Sequence, residues 1–188
     1  KKVELLAPAG GMEAFRGALN AGADAVYLAG QQFGARAYAG NFTEEELEEV
    51  LEKAHLFGVR IYLTVNTLTR EKELSELSSF VQRLAKKGLD GVIVQDPGVA
   101  AVIRKSCPEV ELHASTQMSI TNSSGVDFAM SAGMERSVLA RELSLKEISA
   151  QTKNVCGMCR TGACSPDLLK DGTFTVTNLG SLGIESFT

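Results

Sequence analysis

The feature that most constrains this chain is a short pattern that recurs along it. A helix-like stretch ends at glycine, an apolar residue and usually a charged one follow, and a short apolar run comes next. It reads Gly22-Ala23-Asp24-Ala25-Val26-Tyr27-Leu28, then Gly58-Val59-Arg60-Ile61-Tyr62-Leu63, then Gly88-Leu89-Asp90-Gly91-Val92-Ile93-Val94. It returns as Gly133-Met134-Glu135-Arg136-Ser137-Val138-Leu139 and more faintly as Gly183-Ile184-Glu185-Ser186-Phe187. Glycine takes the left-handed position that stops a helix. An apolar run of this length suits a strand buried on both faces, as in parallel sheets. The glycines stand 36, 30, 45 and 50 residues apart, the scale of one or more βα units.

Between the glycines, helix starts are legible. Thr43-Glu44-Glu45-Glu46 and Ser144-Leu145-Lys146-Glu147 have capping-box spacing. Leu47, Val50, Leu51 and Ala54 repeat at helical spacing, as do Leu74, Leu77, Val81 and Leu84. Further strands are expected over Val3–Ala7 and Val110–Ala114. Strands near residues 3, 25, 60, 91, 111, 137 and 184, alternating with helices, predict right-handed βαβ crossovers. With one large gap between about 141 and 184, they predict a TIM-type (β/α)8 barrel rather than an open doubly wound sheet. The first strand runs into Ala7-Pro8-Ala9-Gly10, which lacks the glycine fingerprint of the open fold. A single domain over 1–188 is expected, with continuous βα units to 150, then a cysteine-rich segment and a last strand. The missing strand should begin near Lys153-Asn154-Val155, where the pattern collapses. Deleted loops would account for that, and the start at Lys1 reads as a fragment.

Composition narrows the function classes. A chain of 188 residues with 44% hydrophobic content can bury one sizeable core. The net charge of −4 argues against a protein that coats nucleic acid non-specifically, though not against a local basic groove. No apolar run nears the roughly 20 residues that span a bilayer, so the expectation is a soluble cytoplasmic protein with no membrane partner.

In such barrels the chemistry sits where strands end and βα loops begin. Those positions hold Pro8, Gly10, Gln31, Asn66, Gln95, Asp96, His113, Ser115, Thr116, Gln117, Arg141 and Glu142. The strand N-termini carry Asp24, Arg60, Asp90 and Glu135, whose expected role is to solvate the bottom rim. His113 reads either as a satisfied interior histidine or as part of a polar cluster with Ser115, Thr116 and Gln117. His55, in a surface helix, reads as incidental. Arg141-Glu142 suits an internal ion pair or an anion-binding arginine oriented by an acid. Asp96 precedes Pro97 and can cap the next helix. The long Phe33–Phe42 loop, with Arg36, suits a lid or a loop resting on the rim.

Three of the four cysteines, Cys156, Cys159 and Cys164, lie within nine residues. Thiolates at such spacing point to iron–sulfur or zinc ligation, with free thiols or a nucleophilic cysteine as alternatives. Cys107, just before Pro108, reads as a buried small hydrophobe.

Several ordered motifs resemble the collagenase-like peptidases of the U-thirty-two group. They are Glu4-Leu5-Leu6-Ala7-Pro8-Ala9-Gly10, Phe33-Gly34-Ala35-Arg36, Ala39-Gly40-Asn41-Phe42, Thr64-Val65-Asn66-Thr67, Val94-Gln95-Asp96, His113-Ala114-Ser115-Thr116-Gln117 and Leu139-Ala140-Arg141-Glu142-Leu143-Ser144. The resemblance runs over about 3–150 and is broken beyond, where three of the family's four cysteines find counterparts in Cys156, Cys159 and Cys164. It implies one of two activities. Some members are linked to breakdown of collagen-like or unfolded peptides. Others bind a four-iron, four-sulfur cluster and take part in oxygen-independent hydroxylation of RNA bases or a quinone precursor, with prephenate as oxygen donor. The residues favour the second: no protease nucleophile–base pair is visible, and Arg141 is available for a small carboxylate donor. On that reading His113, Gln117, Arg141 and Glu142 are the catalytic candidates. Pro8, Arg36, Asn66, Gln95, Asp96, Ser115 and Thr116 would contact substrate, RNA or peptide, and the three cysteines would hold the metal. A zinc-bound, non-enzymatic subunit is the third alternative.

Overall fold

The computed structural model describes residues 4–34 and 41–144. The described elements are β1 (Leu6–Ala9), α1 (Met12–Asn20), β2 (Ala25–Leu28), α2 (Glu44–Leu56), β3 (Arg60–Val65), α3 (Glu71–Lys86) and β4 (Gly91–Val94). There follow α4 (Pro97–Ser106), β5 (Glu111–Ala114), a 3-10 turn (Thr116–Met118), α5 (Ser123–Ser131) and β6 (Arg136–Ser137). All six strands are parallel and lie side by side in chain order. An open doubly wound sheet reverses its order part-way. An unbroken sequential order is the winding of a (β/α) barrel, and six strands are the part of it described here. The strands expected near 153 and 184 lie outside the described residues. No described helix is long and apolar enough to cross a membrane.

The recurring pattern is one repeated joint. Gly22, Gly58, Gly88 and Gly133 all have positive φ, from 68° to 94°. The N–H of the following residue then reaches back to close the helix: Ala23 to the Ala18 carbonyl, Val59 to Ala54, Leu89 to Leu84 and Met134 to Ala129, at 2.9–3.1 Å. This is the Schellman closure, which favours an apolar residue after the glycine. Ala23, Val59, Leu89 and Met134 are accordingly buried.

The charged residue that comes next does more than solvate the rim, which corrects the expectation above. The Leu5 N–H donates to Asp24 Oδ2 at 2.8 Å, Ile61 N–H to Asp90 Oδ2 at 2.8 Å, and Leu112 N–H to Glu135 Oε2 at 2.7 Å. Each acid stands just before an even strand and clamps the odd strand that precedes it. His55 also meets Asp90, with Nε2 3.1 Å from Oδ2, so it belongs to the middle clamp rather than being incidental.

Strand alternation divides the side chains between two layers. Val26, Ile61, Leu63, Val92, Val94 and Leu112 face the helices and pack with Phe15, Leu51, Leu77 and Ile103. Full burial of such a side chain contributes roughly 1.5–3 kcal/mol. The opposite, inner face carries a small cluster of Ala25, Tyr62 and Ile93, flanked by Leu6 and Tyr27. Among the described residues the first strand begins at Leu6, with Leu5 ahead of it bonded to Asp24 and Ala25, while Val3 lies outside the described residues. That shift carries Pro8 into β1, which pairs only with β2 among the described strands, so its missing N–H breaks no ladder here.

Candidate functional site

The capping box at Thr43 forms as its sequence predicts, with Glu46 N–H donating to Thr43 Oγ1 at 3.2 Å and Thr43 N–H to Glu46 Oε2 at 2.9 Å. It anchors the exit of the long loop after β2, whose base is stapled by Phe42 N–H on the Ala29 carbonyl at 3.0 Å. Arg36 lies outside the described residues. Phe33, at the loop's start, has φ 62, an uncommon conformation for a bulky side chain. The Thr67 hydroxyl donates to its carbonyl at 3.0 Å. A cleft of about 320 Å³ lies here, lined by Gln32, Phe33, Thr67, Leu68, Thr69, Glu73 and Glu76. None of the expected mouth residues lines it.

At the strand C-termini the expected residues separate by role. Asp96 caps α4, accepting from Gly98 N–H at 2.7 Å and Val99 N–H at 3.4 Å. Ser115 is 3% exposed; its N–H donates to the Val94 carbonyl and its Oγ accepts from Gln117 N–H at 3.2 Å. That serine starts the 3-10 turn, which leaves Thr116 half-buried and Gln117 exposed. Pro8 is exposed, while Asn66 and Gln95 are half-buried. Arg141 and Glu142 are exposed in the turn after β6, and no salt bridge joins them among the described contacts.

His113 does not stand with Ser115, Thr116 and Gln117 as one stack. It lies within β5, 1% exposed, on the inner face of the sheet. There it meets a network that the sequence reading missed. His113 Nε2 is 3.1 Å from Glu111 Oε2, and Arg60 Nη2 lies 2.7 Å from Glu111 Oε1. Arg136 Nη1 donates to Glu4 Oε1 at 2.6 Å, and the Tyr62 hydroxyl reaches both Glu4 oxygens at 3.0 and 3.2 Å. The guanidinium carbons of Arg60 and Arg136 lie over the Tyr62 ring, 5.2 and 5.1 Å from its centroid. The His113 ring meets Tyr62 edge-on at 4.5 Å. Its signal in the sequence is period two: Arg60, Tyr62 and Thr64, and Glu111, His113 and Ser115, alternate with apolar residues.

The electrostatics follow from this packing. The hydrogen bond from His113, with the Arg60 charge, outweighs burial and holds the Glu111 carboxyl down at about 2. Burial acts first on His113, and with the Arg136 and Arg60 charges it outweighs Glu111, so the ring is held neutral below its ordinary range. Burial alone would raise Glu4, but the Arg136 hydrogen bond and charge, with Tyr62 and Arg60, bring it below the usual value. Desolvation pushes the Tyr62 phenol well up, so it remains a donor.

No group of three or more His, Cys, Asp or Glu side chains is placed to hold a metal among the described residues. Cys107 is 1% exposed and packs in the helix-side core, as expected. Cys156, Cys159 and Cys164 lie outside the described residues.

Comparison with known proteins adds to this geometry. The chain is 41% identical over 155 residues to tRNA hydroxylation protein P1 of Bacillus subtilis, covering 82% of this chain and 37% of that protein. It is 39% identical over 149 residues to a 23S rRNA 5-hydroxycytidine synthase of Escherichia coli, covering 79% of this chain and 22% of that one. It thus spans between about a fifth and two-fifths of these relatives' length. Among solved structures, the U32 peptidase Mk0906 superposes with a TM-score of 0.61 at 14% identity, covering 74% of this chain and 60% of that one, which bears on the fold. The model of peptidase family U32 matches residues 10–159, so the chain belongs to that family.

Proposed function

We propose that this chain carries the barrel of an RNA-hydroxylating member of the family, acting on a tRNA or rRNA base. The observation that carries this reading is the 41% identity to a tRNA hydroxylation protein, sustained over 155 residues, 82% of this chain. The site chemistry supports it. A hydrolytic mechanism of the serine type needs a hydroxyl activated by a base. Here Ser115 Oγ is engaged as a cap and His113 is engaged by Glu111, so the described residues present no hydroxyl–imidazole pair.

Hydroxylation without oxygen needs a redox partner, and a four-iron, four-sulfur cluster supplies one-electron chemistry when bound. Cys156, Cys159 and Cys164, whose thiolates suit iron and, alternatively, zinc, would be its ligands. Arg141 and Gln117, both exposed beyond the ends of β6 and β5, would meet a small carboxylate donor such as prephenate.

The test uses full-length protein purified without oxygen, incubated with RNA from cells lacking the gene. Nucleoside mass spectrometry should show a base heavier by one oxygen, dependent on the carboxylate donor. Cleavage of denatured collagen by the same preparation, with unmodified RNA, would replace this reading with the peptidase one.

A further inference from the structure

The cleft beyond the ends of β2 and β3 has a lining that the chemistry above leaves unused, and its meaning rests on the RNA-hydroxylation reading. We propose that it is a second base subsite, taking an unpaired, amino-bearing base of the RNA, guanine above the others, in addition to the base that is modified.

Place, size and lining carry this. Gln32 and Phe33 follow β2, and Leu68 and Thr69 follow β3, so the cleft lies on the side of the sheet where such folds bind substrate. Its volume of about 320 Å³ stands at the lower end of small-ligand sites. A paired helix does not enter such a space, whereas a single base splayed out of a loop does. The apolar side of the lining is Phe33, half-buried, and Leu68, 76% exposed, a large side chain held out to solvent on a loop. Unstacked RNA bases rest on aromatic and apolar surfaces of this kind. Phe33 is also held at φ 62, and backbone strain in a bulky residue collects at ligand clamps.

The polar side of the lining selects the occupant. Glu73 and Glu76 stand three positions apart on α3 and both line the cleft. The paired cations at the far end of this helix, Arg83 and Lys87, reach Glu44 and Glu48 on α2 instead. One oxygen of Glu73 accepts the Arg70 N–H at 2.8 Å, which leaves its other oxygen and both of Glu76 for a ligand. Ionised carboxylates only accept, so the occupant must bring donors. Like charge disfavours a phosphate or a carboxylate in the same place, so the oxygen donor of the reaction does not belong here. Guanine presents a ring N–H and an amino group side by side, whereas uracil offers a lone N–H between two carbonyls. An ammonium ion would satisfy the acids but leave the apolar wall uncovered. Thr69 Oγ1 is buried without a partner among the described residues, and rotation of that side chain would offer the base a further hydroxyl. Arg70 and Lys72, both exposed at the start of α3, offset the acids for the flanking phosphates.

The experiment titrates full-length protein with guanosine, inosine, uridine and spermidine, followed by saturation-transfer NMR, and measures RNA-hydroxylation kinetics. Both are repeated on Glu76→Gln and Leu68→Ser, two exposed positions outside the core. Guanosine should bind about tenfold more tightly than inosine, which lacks the amino group, and uridine should bind more weakly still. Glu76→Gln should bring guanosine and inosine to within about twofold of each other, and Leu68→Ser should weaken both about fivefold. Each variant should raise KM for RNA about 5–10-fold with kcat within about twofold. Equal binding of the three nucleosides, or no binding of guanosine at millimolar concentration, overturns the proposal. So does binding that neither variant alters, and so does displacement of guanosine by spermidine, which would mark a cation site. Altered nucleoside binding with KM unchanged overturns the role in RNA recognition and leaves the hydroxylation reading intact. If the wild type hydroxylates no RNA, that reading falls on its own, and the guanine cleft stands or falls on the titrations.

Discussion

The Glu4 carboxylate and the Arg136 guanidinium meet at 2.6 Å, joining the segment ahead of the first described strand to the last one across 132 positions of sequence. β1 and β6 are the two edges of the described sheet, so this pair links through the interior what the backbone ladder leaves apart. Arg136 is 8% exposed and Glu4 is half-buried. Breaking a buried pair costs more than the pair is worth, because one charge is left without its partner. Arg136→Leu should lose about 2–3 kcal/mol in urea unfolding. Glu4→Gln with Arg136→Leu should lose less than the sum of the single changes. Additive losses would show that the two side chains do not cooperate.

Acid should destabilise the fold in two overlapping stages. Both His113 and Glu111 have folded-state values below their ordinary 6.5 and 4.5. For each, the unfolded chain binds protons more readily, so the stabilisation is present above the ordinary value and is lost as pH falls through the folded one. The loss should begin below pH 6.5 with His113 and continue between 4.5 and about 2 with Glu111. Urea midpoints measured from pH 8 to pH 3 should fall along this path. His113→Gln should flatten the upper part and also shrink the lower, because the His113 hydrogen bond is the chief cause of the low Glu111 value.

The rim clamps should be measurable one at a time. Asp90 accepts the Ile61 N–H and meets His55, so Asp90→Ala should cost about 1–2 kcal/mol and expose that amide. Hydrogen exchange should accelerate at Ile61 while Leu112, held by Glu135, stays protected. Equal acceleration at both amides would mean that the clamps are not local.

Gly91 is needed for space rather than for its backbone freedom. A Cβ there would stand 3.1 Å from both Tyr62 Cδ1 and the Glu111 carbonyl oxygen. Tyr62 has little room to yield, being overlain by two guanidiniums and tied to Glu4. Gly91→Ala should therefore destabilise by about 1–2 kcal/mol. A thermal melt unchanged from wild type would show that the ring can move aside.

The cysteines should divide sharply. Cys156→Ser, Cys159→Ser and Cys164→Ser should each lose iron and acid-labile sulfide in protein purified without oxygen, whereas Cys107→Ser should retain both. Cys107 packs in the helix-side core, away from the inner face. Equal retention in all four variants would remove the ligand assignment.

The fold was legible because its joint is written in consecutive residues. Gly88-Leu89-Asp90 alone specifies a helix stop, a buried apolar closure and a rim acid, each through local backbone chemistry. The Asp96 cap was legible for the same reason, since Asp-Pro places an acceptor beside the first free amides of α4. The interior was not. Glu4 touches Arg136, and Arg60 touches Glu111, only after the sheet has curved, and no spacing along the chain announces those pairs. Of the two readings that the sequence leaves open for His113, interior histidine or member of the mouth cluster, strand alternation selects the first by turning the ring inward with Glu111.

The clamps and the Glu4–Arg136 pair also separate in time. Asp24, Asp90 and Glu135 hold amides only 19, 29 and 23 positions away, so each contact closes a short loop. Glu4 and Arg136 can meet only once all the intervening strands are in place. Loop closure of that length is entropically expensive and is deferred. Weakening a clamp should slow folding, and weakening the long pair should chiefly hasten unfolding. The same interior that surrounds His113 would then be the last part of the barrel to assemble and the first to open.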